Sequence, residues 1–266
     1  MRLFRSRRRE AFSPLLELGV AGVTGAGELV SDRISESVAG DRRVDLKKVP
    51  AERRAILEEA FRSLRSRLLL LARDGSRTFL ITSATPSEGK STVAANVACA
   101  LASVGRTVLL IDADLRRPRL HDFFGLANRE GLTDVLNGTK QPADVWRPTV
   151  NGPTVLTSGS RAVDPQYLLQ GERLVAVLAT AREHFEFTLV DTAPVLAVDD
   201  ACLLAGHLDG TILVVKYAAV SETDAREAVE RLHAARASIV GTVMSQMTDL
   251  TDGYHAYGAG YVNPDR

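Results

Sequence analysis

Tyrosine is scarce in this chain of 266 residues: there are five, beside one tryptophan and two cysteines. Two cysteines do not read as a disulfide framework. Both Cys99 and Cys202 lie in apolar stretches of helical composition, which suits buried thiols in a reducing compartment, so the cytoplasm is the expected location. An excess of one charge is also lacking, because 33 basic residues balance 33 acidic ones, and nothing overall argues for a nucleic-acid partner. No apolar run reaches the roughly 18 residues of a membrane helix. The best candidate, PLLELGVAGVTGAGELV, is broken by Glu17 and Glu28. The opening MRLFRSRRRE is basic but has neither the apolar region nor the small-residue cleavage site of a signal peptide. It reads as a solvated charge run, with weak attraction to an anionic surface as the alternative.

What is present is enough for a packed core, since 45% of the residues are hydrophobic. Composition divides the chain into three zones. Residues 1–48, rich in arginine and glycine and without periodicity, read as a flexible basic extension. Residues 49–248 read as one folded domain, and 249–266 as a mobile tail. The domain begins with a helix in which Leu57, Phe61, Leu64, Leu68 and Leu71 recur at three- and four-residue steps. Glu59, Arg62 and Arg65 fall on a separate stripe, which is either solvated charge or a subunit contact.

Beyond Gly75, short β-branched runs alternate with helical stretches. TFLIT, TVLLIDAD, TVLTSG, FTLVDTA, TILVVKY and IVGTVMS are apolar on both faces, as strands buried between helix layers are. The expected fold is α/β, a mainly parallel sheet with helices on both faces and its ligand at the carboxyl ends of the strands. The first strand runs into SATPSEGKST and then a helix, the arrangement of a P-loop NTPase. Ser87, Glu88, Gly89, Lys90, Ser91 and Thr92 are the candidate nucleotide cradle, with Lys90 reaching the terminal phosphates and Ser91 holding Mg2+. Thr92 and Asn96 also suit packing or capping. The general pattern asks for glycine six residues before the lysine, where this chain has Ala84.

Asp112 and Asp114 stand at the end of the second strand, two apart and so expected on one side of it, and Asp191 ends another. Three acids beside a phosphate loop point to a metal and catalytic cluster, since Mg2+ takes hard oxygen ligands from one or two carboxylates, phosphates and water. A third carboxylate can accept the proton of an attacking hydroxyl.

SATPSEGKST, LLIDADLRRPRL and FTLVDTAPV, in this order and spacing, resemble the motifs of the bacterial tyrosine kinases that regulate capsule and exopolysaccharide synthesis. The similarity runs from about Glu59 to the C-terminus. It implies ATP and Mg2+ as cofactors, with Lys90, Asp112, Asp114 and Asp191 as catalytic residues. Asp112 would be the proton acceptor, and Ser91, Asp114 and Asp191 the metal ligands. EAFRSLR is similar to the family's oligomerisation motif, which assigns Glu59, Arg62 and Arg65 to contacts in a homo-oligomer, expected to be a ring. The resemblance also implies a membrane-anchored polysaccharide co-polymerase as activator, holding the chain at the inner membrane.

Three of the five tyrosines, Tyr254, Tyr257 and Tyr261, crowd into GYHAYGAGY near the end, like a sparse version of the family's phosphoacceptor cluster. Ten extended residues from Met247 to Tyr257 span at most about 35 Å, enough to reach a neighbour's site. MSQM stands where the resemblance leads one to expect an asparagine near the adenine, so Ser245 and Gln246 are the candidate base contacts. The rival class is a switch ATPase of the chromosome-partitioning or division-site type. Those proteins carry an additional lysine near the start of the phosphate loop, where this chain has Thr85.

Overall fold

The computed structural model describes residues 51–72 and 77–246. The basic N-terminal extension and the tail with Tyr254, Tyr257 and Tyr261 lie outside the described residues.

Seven strands form one sheet: β1 (Thr78–Ser83), β2 (Val108–Asp112), β3 (Arg147–Pro148), β4 (Thr154–Leu156), β5 (Phe187–Asp191), β6 (Gly210–Lys216) and β7 (Ile239–Ser245). Their spatial order is β3-β4-β2-β5-β1-β6-β7, and every pairing is parallel except β3 with β4. All six strands expected from the sequence are present. The two-residue β3 was not foreseen, and its Pro148, having no N–H, is tolerated because the strand lies at the sheet's edge.

Helices cover both faces: α1 (Ala51–Leu71), α2 (Lys90–Ala102), α3 (Leu120–Phe124), α4 (Leu132–Leu136), α5 (Pro165–Gln170), α6 (Glu172–His184), α7 (Asp200–Ala205) and α8 (Glu222–Ala234). The strands show why two layers form. Phe79 and Ile81, Val108 and Leu110, and Ile212 and Val214 pack with α1 and α2, whereas Leu80, Leu109, Ile111 and Leu213 pack with α6, α7 and α8. Period-two alternation thus feeds two separate apolar cores. On α1, Leu57, Phe61, Leu64 and Leu68 are buried, and each contributes about 1.5–3 kcal/mol by leaving water.

The helices start and stop on local chemistry. Ser221 caps α8 by accepting the N–H of Asp224, and Asp164 caps α5 by accepting that of Tyr167, with Pro165 at the first helical position. Gly105 follows the end of α2 with φ 80°, a left-handed residue that turns the chain toward β2. Helices α3, α4, α5 and α7 have five or six residues each, too few for a periodic signal.

Candidate active site

β1 ends at Ser83, and residues 84–89 wrap round to the first turn of α2. Two residues in this loop take left-handed backbone, Ser87 with φ 66° and Gly89 with φ 89°. Such turns aim successive N–H groups into one concavity, and the start of α2 adds its own free N–H groups. Ala84 is absent from the left-handed positions and is fully buried, so its methyl replaces the expected glycine without backbone strain.

The loop is held from behind by Glu88, whose part differs from that of a phosphate ligand. Its buried carboxylate accepts the N–H and hydroxyl of Thr85, and on its other oxygen the N–H of Lys216 at 2.9 Å. The Ser245 hydroxyl donates to the Glu88 carbonyl. Ser245 is fully buried, and with Gln246 it lies about 4 Å from where a side chain on Gly89 would sit. Ser245 therefore braces the loop, which accounts for its hydroxyl without any contact to a base. Thr92 is half-buried, and its carbonyl accepts the Asn96 amide, in keeping with packing.

Across the loop stand the three aspartates. Asp112 and Asp191 end neighbouring strands and are direct register partners. β2 stops at Asp112, so strand alternation does not place Asp114. It lies in the following turn, which is tied to β5 by the Ala113 N–H on the Asp191 carbonyl. Lys90 Nζ reaches Asp114 Oδ2 at 2.9 Å, with both side chains largely buried. Asp114 Oδ1 accepts the Arg117 N–H, and Asp112 Oδ2 accepts those of Arg119 and Leu120.

Asp112 Oδ1 and both carboxylate oxygens of Asp191 are buried with no well-formed hydrogen bond among the described residues, although the Ser91 hydroxyl and Thr192 N–H lie near enough to Asp191 to favour its ionised form. Burial pushes Asp112 up to about 8, helped by the neighbouring Asp191 charge, and pushes Asp191 up to about 6 despite the attraction of Lys90. Burial alone would lower Lys90, but Asp191, Asp114 and Asp112 around it raise it. A hard cation fits this donor set, since the Asp191 carboxylate and the nearby Ser91 hydroxyl supply oxygen ligands. Among the described residues no three His, Cys, Asp or Glu side chains converge to hold an ion alone, which suits a metal shared with phosphates.

A further pair escaped the sequence reading. Arg116 grips Asp200 through two bonds, Nε to Oδ2 at 2.9 Å and Nη2 to Oδ1 at 3.2 Å. Asp200 is fully buried at the start of α7, so the fork locks the loop after β2 to the segment after β5. The partners are 84 residues apart, and nothing in either local sequence announces the pairing. On α1, Glu59 and Arg62 pair with each other at 3.1 Å, and the Arg65 Nε is buried with no acceptor among the described residues.

Comparison with known proteins follows the same lines. Residues 76–255 match the ParA family model, described as a NUBPL iron-transfer P-loop NTPase. The chain is 37% identical to the putative tyrosine-protein kinase EpsB of Ralstonia solanacearum over 76% of its own length. It spans only 27% of that protein. It is 35% identical to tyrosine-protein kinase YwqD of Bacillus subtilis, over 73% of this chain and 83% of that one. Among solved structures, the kinase domain of Escherichia coli tyrosine kinase ETK superposes with a TM-score of 0.70 at 31% identity, over 71% of this chain and 75% of that one.

Proposed function

This chain belongs to the bacterial tyrosine-protein kinase family of P-loop NTPases, and from that membership we propose that it is an ATP-dependent protein-tyrosine autokinase. It regulates capsular or extracellular polysaccharide synthesis or export by phosphorylating Tyr254, Tyr257 and Tyr261 between subunits. The observation that carries this reading is Lys90 set against three carboxylates at the ends of adjacent strands.

The acceptor tyrosine's oxygen bonds to the γ-phosphorus of ATP while the bond to the β–γ bridging oxygen breaks. ADP leaves, and the phenolic proton passes to Asp112. Lys90 and the loop amides offset charge on the β and γ phosphates. To do so Lys90 leaves Asp114, whose freed oxygen then joins Ser91 and Asp191 as a candidate metal ligand. Mg2+, when bound, neutralises phosphate charge and favours the ionised aspartates. Asp112, which burial holds above the usual carboxylate range, accepts the tyrosine proton in its ionised form.

The α1 stripe of Glu59, Arg62 and Arg65 supplies the oligomer contact, with a ring as the expected closure. Each phosphotyrosine adds about −1.5 to −2 charge, so phosphorylation loosens the assembly by repulsion. No helix among the described residues is long and apolar enough to cross a membrane, and a membrane-anchored activator would bring the chain to the inner membrane surface.

The iron transfer in the matched family's description finds no support in the cysteines. The chain has two, Cys99 on α2 and Cys202 on α7, and neither forms a disulfide. The switch-ATPase alternative needs a lysine where Thr85 stands, and Thr85 is bound to Glu88. Mass spectrometry of the protein incubated with ATP and Mg2+ decides between the readings. Phosphate is expected on the tail tyrosines and absent in Lys90→Ala. Turnover of ATP with a bare tail, even beside a membrane partner, would shift the assignment to the switch class.

A further inference from the structure

The turn that presents Asp112 and Asp114 also carries Arg116, Arg117 and Arg119 within four residues. Arg116 is consumed by Asp200. Arg117 and Arg119 are exposed, and no carboxylate among the described residues pairs with either guanidinium. Their backbone N–H groups bind the Asp114 and Asp112 carboxylates, at 2.9 and 3.0 Å. Two exposed arginines, unpaired among the described residues, are therefore anchored by their backbone at the rim of the catalytic cluster. Arg161, on the segment after the neighbouring β4, is a third exposed cation on this side.

The tail has the complementary charge on one side of its tyrosines. In TDLTDGYHAYGAGY, Asp249 and Asp252 stand five and two residues before Tyr254, and no acid lies between Asp252 and Tyr261. Two residues of extended chain cover about 7 Å, close to the length of an arginine side chain. A tyrosine hydroxyl at Asp112 thus leaves Asp252 within reach of the rim.

Resting on the autokinase reading, we propose that Arg117 and Arg119 form an acidic-peptide docking rim whose occupant is the 249–254 segment of a second copy of this chain, so that Tyr254 is phosphorylated first. The spacing of the tyrosines extends the device. Phosphate on Tyr254 places dianionic charge three residues before Tyr257, and phosphate on Tyr257 places it four residues before Tyr261. Each modified tyrosine then takes over the part of Asp252, and the order runs from Tyr254 to Tyr261.

Time-resolved phosphopeptide mass spectrometry of the full chain with ATP and Mg2+ tests this, comparing the unaltered protein with D249N/D252N and R117E/R119E. Tyr254 is expected to gain phosphate before Tyr257 and Tyr261. Either variant should slow Tyr254 roughly fivefold at low salt, the scale of two exposed ion pairs. The difference should vanish near 1 M salt, where charges are screened beyond about 3 Å. Combining R117E/R119E with D249K/D252K should restore the rate. A tail that stays bare in the unaltered protein defeats the autokinase reading itself. Phosphorylation with unchanged order and rate in D249N/D252N overturns the docking rim alone, and does so even if R117E/R119E fails to fold. Loss of binding of a fluorescent ADP analogue in R117E/R119E, with no effect of D249N/D252N, assigns the arginines to the nucleotide and also overturns it.

Discussion

At the scale of the residue, the chain holds two carboxylic acids where water does not reach. Asp112, pushed up to about 8, keeps a proton in the folded protein that it loses near pH 4 when unfolded. Between those values the native state binds more protons than the unfolded one, so stability falls as pH rises from about 4 toward 8. Asp191, pushed up to about 6, adds to the slope over its lower part. Asp112→Asn removes most of this penalty. Denaturant unfolding without nucleotide is expected to find the variant more stable than the parent at pH 8, by at least ~1 kcal/mol, with the gap closing toward pH 5. The same variant should lose phosphoryl transfer, because an amide cannot accept the proton. A parent protein equally stable at pH 5 and pH 8 would show that these acids are ionised in the fold.

At the scale of the element, α1 turns one face inward and leaves another facing solvent. Leu57, Leu64 and Leu68 are buried, while Glu59 and Arg62 are about half exposed and Arg65 keeps a buried Nε without an acceptor. A buried guanidinium nitrogen with no acceptor among the described residues costs about 1–3 kcal/mol, whereas the half-exposed Glu59 and Arg62 and the part-exposed remainder of Arg65 face the proposed subunit contact. Arg65→Glu should therefore shift the protein to smaller species in light scattering at matched concentration, while its melting temperature as a monomer stays within a few degrees. Loss of fold would show that Arg65 serves α1 itself. The elements also mark how far the sequence can be read. The six apolar strands were legible as short β-branched runs bounded by helical stretches, and α1 by apolar residues recurring at three- and four-residue steps. The phosphate loop and the three aspartates were legible because they follow strands. Glu88 as a brace, Ser245 as its hook and the Arg116–Asp200 fork were not, since each depends on which distant strand becomes a neighbour.

At the scale of the whole molecule, the phosphate loop near residue 88 is built against β6 and β7, more than 120 residues further on. The loop's shape is thus a property of the full sheet, although its motif occupies ten residues. A chain truncated after Thr242 keeps every motif residue yet lacks Ser245. It is expected to bind a fluorescent ADP analogue at least tenfold more weakly than the full chain, whereas truncation after Gln246 leaves affinity unchanged. Equal binding by both truncations would show that Glu88 holds the loop without help from β7.

The hook between Ser245 and the Glu88 carbonyl has a consequence for the order in which the protein becomes itself on the ribosome. The motif emerges early, and the residue that fastens it follows 157 residues later. While residues near 245 remain in the exit tunnel, the nascent chain carries a phosphate loop without its rear fastening, and nucleotide capture waits until β7 has emerged.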